Sequence, residues 1–137
     1  MPNEPILVTN GDLLTQLKFE LLMKYHSAES DLATVCVREH LMRIPYGAIM
    51  VDDINFAGIE EKPERKFLIN SGIYVFEPKV LDLLEPGKTC DMPELLNRIH
   101  TAYPGSISCF PITEFWIDIG QRRDYDLAVS KYAAGQN

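Results

Sequence analysis

Two unbroken apolar, β-rich runs, residues 6–9 (ILVT) and 32–37 (LATVCV), stand on either side of a helical stretch, and that order narrows the fold more than any other feature of the chain. Runs without polar alternation suit strands buried on both faces of a sheet. Between them Leu14, Leu17, Leu21, Leu22 and Tyr25 recur at three- and four-residue spacings, which predicts a helix ending near His26-Ser27. Strand, helix, strand is the unit of an α/β protein. The expected architecture is therefore three-layered, a mixed and mostly parallel sheet flanked by helices.

Further along, Ile44-Pro45-Tyr46-Gly47 interrupts the pattern, residues 48–51 resume it before an Asp52-Asp53 turn, and residues 55–60 return as a hairpin strand. Residues 61–66 (EKPERK) read as a charged loop. Residues 67–76 (FLINSGIYVF) read as a long strand with a polar break at Asn70-Ser71-Gly72. Pro78 and Pro93 sit where first helical turns tolerate proline, predicting helices over 79–84 and 92–100. Residues 106–112 and 114–119 are the last strands expected. A helix follows, with Tyr125, Ala128, Val129 and Tyr132 on one face, before a frayed tail over 133–137. There is no internal repeat and no linker, so residues 1–137 read as one domain.

With 46% hydrophobic residues in 137, the chain can bury a real core. No apolar run approaches the roughly 18 to 20 residues of a membrane span, and the N-terminus lacks the basic-then-apolar pattern of a signal peptide, so a cytoplasmic soluble protein is expected. Cys36, Cys90 and Cys109 are odd in number and widely spaced among apolar neighbours, which suits reduced core thiols. A net charge of -7 argues against nucleic-acid binding. A phosphorylated ligand would then need a metal ion or a local basic cluster.

Two apolar runs end on carboxylates. Asp12 closes LVTNGD and Asp118 closes FWID. In open α/β sheets ligands gather outside the carboxyl ends of strands, and two carboxylates brought together there make a seat for Mg²⁺. Each has a plainer reading too. Asn10-Gly11-Asp12 is a turn signal, and either aspartate could cap the helix that follows it. Glu61-Lys62-Pro63 could be a solvated connector, and Asn70-Ser71-Gly72 a bulge.

The order of the pieces adds what no single piece carries. The succession LVTNGD, PYG, EEKP, INSGIYVF and FWIDIGQRRDY, over residues 5–128, resembles the sugar-1-phosphate nucleotidyltransferases, also called nucleoside-diphosphate-sugar pyrophosphorylases. Cys36-Val37-Arg38-Glu39, Ile44-Pro45-Tyr46-Gly47, and Asp118-Ile119-Gly120 followed by Asp124-Tyr125 are similar to its mannose-1-phosphate guanylyltransferase-like branch. The resemblance implies a Rossmann-like nucleotidyltransferase fold. It implies a reaction in which a sugar 1-phosphate attacks the α-phosphorus of a nucleoside triphosphate, with Mg²⁺ held by Asp12 and Asp118. On the same basis Lys62 contacts the sugar phosphate as a catalytic cation, Glu61 accepts bonds from sugar hydroxyls, and Gly47 lets backbone approach the sugar. Asn70 and Gly72 match the family's Asn-x-Gly break, with Ser71 in place of the commoner alanine. Tyr74 either shares that face or belongs to the core.

Members of the family also carry a GGxGTRL loop and a Pro-Lys-Pro segment that hold the triphosphate and base, and neither is found here. The expectation is thus a fold truncated at its N-terminus: the sugar-phosphate- and metal-binding C-terminal part, with low or no activity alone. An uncovered sheet edge would favour a homo-oligomer or a covering partner. The alternative is a non-catalytic interaction or oligomerisation module built on the same fold. A metal-dependent glycosyltransferase is disfavoured because Asn10 stands where an Asp-x-Asp motif needs its first carboxylate. The base and the sugar stay open at this point.

Overall fold

The computed structural model describes residues 3–120. Four strands make the main sheet: β1 (Ile6–Thr9), β3 (Ala33–Arg43), β6 (Glu64–Phe76) and β7 (Ile107–Pro111), in the order β1-β6-β3-β7. Two short pairs complete the strands. β2 (Leu13–Thr15) pairs with β8 (Trp116–Asp118), and β4 (Ala48–Asp52) pairs with β5 (Asn55–Glu60). The helices are α1 (Phe19–Glu29), a 3₁₀ helix over Pro78–Leu83, and α2 (Met92–Ala102).

Side chains alternate across a strand, and the inner half of the sheet is apolar on both faces. Ala33, Val35, Val37, Tyr74 and Phe76 meet Val80 of the 3₁₀ helix and Leu95 and Ile99 of α2. On the opposite face Cys36, Ile73 and Val75 pack with Leu17, Ile112 and Leu22 of α1. Helix, sheet and helix form the three expected layers. Leu22 and Ile99 are fully buried, each worth about 2–3 kcal/mol of hydrophobic transfer. Asp91 fixes the start of α2 by accepting the Glu94 N–H at 2.8 Å, ahead of Pro93 in the first turn.

The sheet is mixed, but its pairings are mostly antiparallel rather than mostly parallel. β6 pairs antiparallel with both β1 and β3, and only β3 and β7 pair in parallel. β1 and β3 still run the same way and are joined through α1, as strand-helix-strand requires. β6, thirteen residues long, is inserted between them and takes a partner on each side. That insertion also leaves β1 at an edge of the described sheet with one face half-buried, not buried on both faces.

Three local expectations are corrected. Residues 13–15 are strand rather than helix, because β2 finds β8 a hundred residues away. Thr15 Oγ1 donates to the Phe115 carbonyl at 3.0 Å, and α1 begins only at Phe19. The charged stretch after Pro63 is strand rather than loop, since cross-strand ion pairs Arg43 with Glu64 and Lys66 with Glu39 line the β3–β6 ladder. Among the cysteines, all free, Cys36 is buried but Cys109 is exposed. The helix expected around Tyr125–Tyr132 and the tail after it lie outside the described residues.

Candidate functional site

β1 stops where Asn10 begins to serve β6. The Asn10 N–H donates to the Gly72 carbonyl at 2.8 Å, and Gly11-Asp12 then turn the chain into β2. β6 is irregular at this point. Val35 lies opposite Tyr74 and Val37 opposite Asn70, so Ser71, Gly72 and Ile73 all face the single residue Cys36. This is a bulge, held by Ser71 Oγ donating to the Cys36 carbonyl (2.8 Å) and by the Gly72 N–H donating to Asn70 Oδ1 (3.0 Å). Gly72 has φ +74°, and a Cβ there would sit 2.6 Å from Asn10 Nδ2. Only glycine gives both the left-handed turn and room for Asn10. Tyr74 belongs to the core, 2% exposed, with its hydroxyl accepting from Asn70 Nδ2 at 2.7 Å.

The β2–β8 pairing brings the two strand-end carboxylates together. Leu13 lies opposite Asp118, and the Ile119 N–H donates to the Asp12 carbonyl at 2.8 Å. A Cβ on Gly120 would lie 3.0 Å from Asp12 Oδ2 and 3.0 Å from Asp118 Oδ1, so both carboxylates converge on one point. Asp118 Oδ1 also accepts the Gly120 N–H at 2.8 Å. Asp12 does not cap α1, whose N-cap is Lys18. Among the described residues no group of three or more His, Cys, Asp or Glu gathers in a metal-ligating cluster. Two carboxylates at an open cleft are a donor set that suits Mg²⁺, which takes one or two protein carboxylates and keeps its other positions for water and phosphate oxygens.

That cleft measures about 570 Å³. It is lined by Asp12, Trp116, Ile117, Asp118 and Gly120 together with Arg38, Glu39, His40 and Ile69 of β3 and β6. Trp116 is anchored by its indole N–H, which donates to the Ser71 carbonyl at 2.9 Å, so the bulge is tied to a residue that lines the cleft. Arg38, His40 and Trp116 were not singled out in sequence. The available signal was the i, i+2 placement of Arg38 and His40 directly after the buried run of β3, which aims both at one face.

A second group forms at the base of the β4–β5 hairpin. The Lys62 N–H donates to the Tyr46 carbonyl (3.2 Å) and the Ile44 N–H to the Pro63 carbonyl (3.1 Å), clamping Glu61-Lys62-Pro63 onto Ile44–Gly47. A Cβ on Gly47 would lie 3.1 Å from Glu61 Oε2, so glycine lets this carboxylate rest against the backbone. Lys62 adopts φ +47°, a left-handed conformation that costs a non-glycine residue about 1 kcal/mol. Gly47, Glu61 and Lys62 thus meet one another, Asn70 and Gly72 meet Asn10, and Asp12 meets Asp118. Glu61, Lys62 and Gly47 are not among the residues lining the cleft.

Residues 1–135 match the family model described as Nucleotidyl transferase. Among curated relatives, the chain is 32% identical over 135 residues to a protein of Oryza sativa subsp. japonica named "Probable mannose-1-phosphate guanylyltransferase 2", covering 94% of this chain and 36% of that protein. It is 28% identical over 126 residues to the mannose-1-phosphate guanylyltransferase catalytic subunit beta of Dictyostelium discoideum, covering 89% and 34%. The chain spans about a third of the length of these relatives. Among solved structures it resembles HddC from Yersinia pseudotuberculosis with a TM-score of 0.61 at 23% identity, covering 93% of this chain and 55% of that one.

Proposed function

Because the chain belongs to the nucleotidyl transferase family, we propose that it handles the sugar 1-phosphate and the divalent cation in transfer of a nucleotidyl group from a nucleoside triphosphate, forming a nucleotide sugar and pyrophosphate. The observation that carries this is the convergence of Asp12 and Asp118 on Gly120. Two carboxylates at one open cleft suit a divalent cation that keeps other positions for phosphate oxygens, which the reaction supplies.

Asp12 and Asp118 would hold Mg²⁺, which when bound offsets the charge that builds on the α-phosphoryl oxygens in the transition state. The Gly120 N–H donates to Asp118 Oδ1, the same oxygen that lies near the Gly120 Cβ position, and so orients that carboxylate; an oxygen with one such bond keeps acceptor capacity for an ion. Glu61 offers two acceptor oxygens to vicinal sugar hydroxyls, and its contact with Gly47 presents them beside bare backbone. Lys62, turned outward by its left-handed backbone, supplies a compact charge for the sugar phosphate. Asn70 and Gly72 shape the strand that passes between these groups. No covalent intermediate is required, since positioning and electrostatics supply the rate in phosphoryl-type transfer.

The relatives' names favour mannose 1-phosphate and GTP as the first substrates to try. No two of the eight glycines are adjacent, so these 137 residues contain no Gly-rich loop of the GGxG kind to cradle a triphosphate. The nucleotide is then held largely by groups outside them, and turnover by these residues alone is low. The test is pyrophosphate release with Mg²⁺ across a panel of triphosphates and sugar 1-phosphates, with Asp12→Asn and Asp118→Asn as controls. Turnover above background that survives both substitutions would refute the assignment.

A second reading, an interaction module that kept the fold, is favoured by the β4–β5 hairpin. Ile54 is 89% exposed and Phe56 68%, with Val51, Ile49 and Ile59 more than half exposed beside them. An apolar surface of this kind marks an interface. The proposed occupant is a second copy of the chain, and light scattering at tens of micromolar tests it: a dimer or larger species is expected, and a clean monomer rules out self-association there.

A further inference from the structure

We propose that the Arg38 guanidinium is an anion anchor for a phosphoryl group bound in the cleft that it lines together with Asp12 and Asp118. The proposal rests on the reading of the cleft as a site for phosphorylated substrates and adds a residue to it. Four arginines lie in the described residues. Arg43, Arg65 and Arg98 pair with Glu64, Glu60 and Glu94, whereas Arg38 forms no ion pair among the described residues. It is held instead by a neutral acceptor, with Nη1 donating to the Glu114 carbonyl at 2.8 Å.

Both facts matter chemically. A guanidinium tied to a backbone carbonyl keeps its full positive charge, and it has five N–H donors, of which this bond uses one. The side chain is half-buried, so its position is constrained while its remaining donors can reach the cleft it lines. In a chain of net charge -7, an arginine that lines a cleft and pairs with no carboxylate among the described residues leaves its charge available to an anionic ligand. Glu39, also on this wall, is already engaged by Lys66 at 2.9 Å, so it does not neutralise Arg38. The carboxylate pair would take a cation and Arg38 a phosphoryl oxygen, so a phosphorylated ligand with Mg²⁺ is held at both its metal and its anion. Planar fork geometry matches phosphate in a way an ammonium does not.

Either substrate could bring that phosphoryl group, the sugar 1-phosphate or the triphosphate whose pyrophosphate departs. Trp116, the chain's one tryptophan, lines the cleft and reports its occupancy by fluorescence without any need for turnover. Inorganic pyrophosphate and mannose 1-phosphate are titrated separately, with Mg²⁺, against the wild-type chain, Arg38→Gln and Arg38→Lys. Saturable changes are expected for the wild type, with affinity about tenfold or more weaker for Arg38→Gln and several-fold weaker for Arg38→Lys. The ligand whose affinity falls identifies the phosphoryl group contacted. Gln keeps an N–H donor for the Glu114 carbonyl, and thermal unfolding checks each variant. Should Arg38→Gln fail to fold, Arg38→Lys alone decides.

Wild-type affinity in a folded Arg38 variant, or no saturable response of the wild type to either ligand, overturns the anchor. Mn²⁺ binding is measured on the same proteins and separates this from the wider reading. Mn²⁺ affinity lost in Asp12→Asn but anion affinity unchanged in Arg38→Gln removes the anchor alone, whereas Mn²⁺ affinity unchanged in Asp12→Asn removes the carboxylate seat itself.

Discussion

The Asp12 and Asp118 carboxylates flank Gly120, each with an oxygen 3.0 Å from where a Cβ would stand. Gly120→Ala therefore pushes a methyl group between them without altering either ligand. Divalent-cation affinity, followed by isothermal titration with Mn²⁺, is expected to fall about tenfold while the thermal midpoint stays within a few degrees, as the site is exposed. An unchanged affinity would show that the carboxylates do not act together.

Gly72→Ala meets two costs, a left-handed backbone and a Cβ 2.6 Å from Asn10 Nδ2. Together they should destabilise the fold by about 1–3 kcal/mol in urea unfolding. Adding Asn10→Ala should recover the steric share but not the conformational one. A double-mutant cycle with no coupling would deny the contact between the β1 end and the bulge.

Burial of Cys36 against α1 pushes its thiol up to about 12. In the unfolded chain a thiol titrates near 8.5, so between these values the native state holds a proton that the unfolded state has lost. The sign follows: this contribution is fully present below about pH 8.5 and falls as pH rises, by up to about 1.4 kcal/mol per pH unit. Urea unfolding from pH 7 to 10.5 should show a steeper loss for the wild type than for Cys36→Ala. Native-state thiol labelling at pH 8 should modify Cys109 rapidly and Cys36 only on unfolding.

Gly47→Ala puts a methyl group 3.0 Å from Ile59 Cδ1 and 3.1 Å from Glu61 Oε2, displacing the carboxylate from the backbone. If Glu61 receives sugar hydroxyls, affinity for mannose 1-phosphate should drop several-fold with Mn²⁺ affinity unchanged. Loss of both together would mean that the hairpin base and the carboxylate pair form one rigid unit.

Where the controlling interactions are local, the structure was legible in the residues. Asp52-Asp53 turned the hairpin as read, with Asp53 at φ +55°, and Pro93 stands in the first turn of α2, which begins at Met92 as expected. Asp118 closes β8 as read, whereas Asp12 lies in the Asn10-Gly11-Asp12 turn between β1 and β2, and the polar break at Asn70-Ser71-Gly72 is the bulge that was one of its two readings. What stayed hidden depends on distant partners. Leu14 and Leu17 fit a helical period, yet residues 13–15 pair with β8 because the pairing satisfies their backbone and places Leu17 in the core beside α1. Nothing local in residues 67–76 says that this strand slips between β1 and β3. Arg38 was invisible as a lining residue because its direction is set by the Glu114 carbonyl, far along the chain.

Asp12 and Asp118 are proposed to be two halves of one cation site. Mn²⁺ titration of the wild type, Asp12→Asn, Asp118→Asn and the double variant tests it directly. The expected result is a single site, weakened tenfold or more by either substitution, with the double variant scarcely worse than the singles. Independent, additive effects, or affinity unchanged by either substitution, would contradict it.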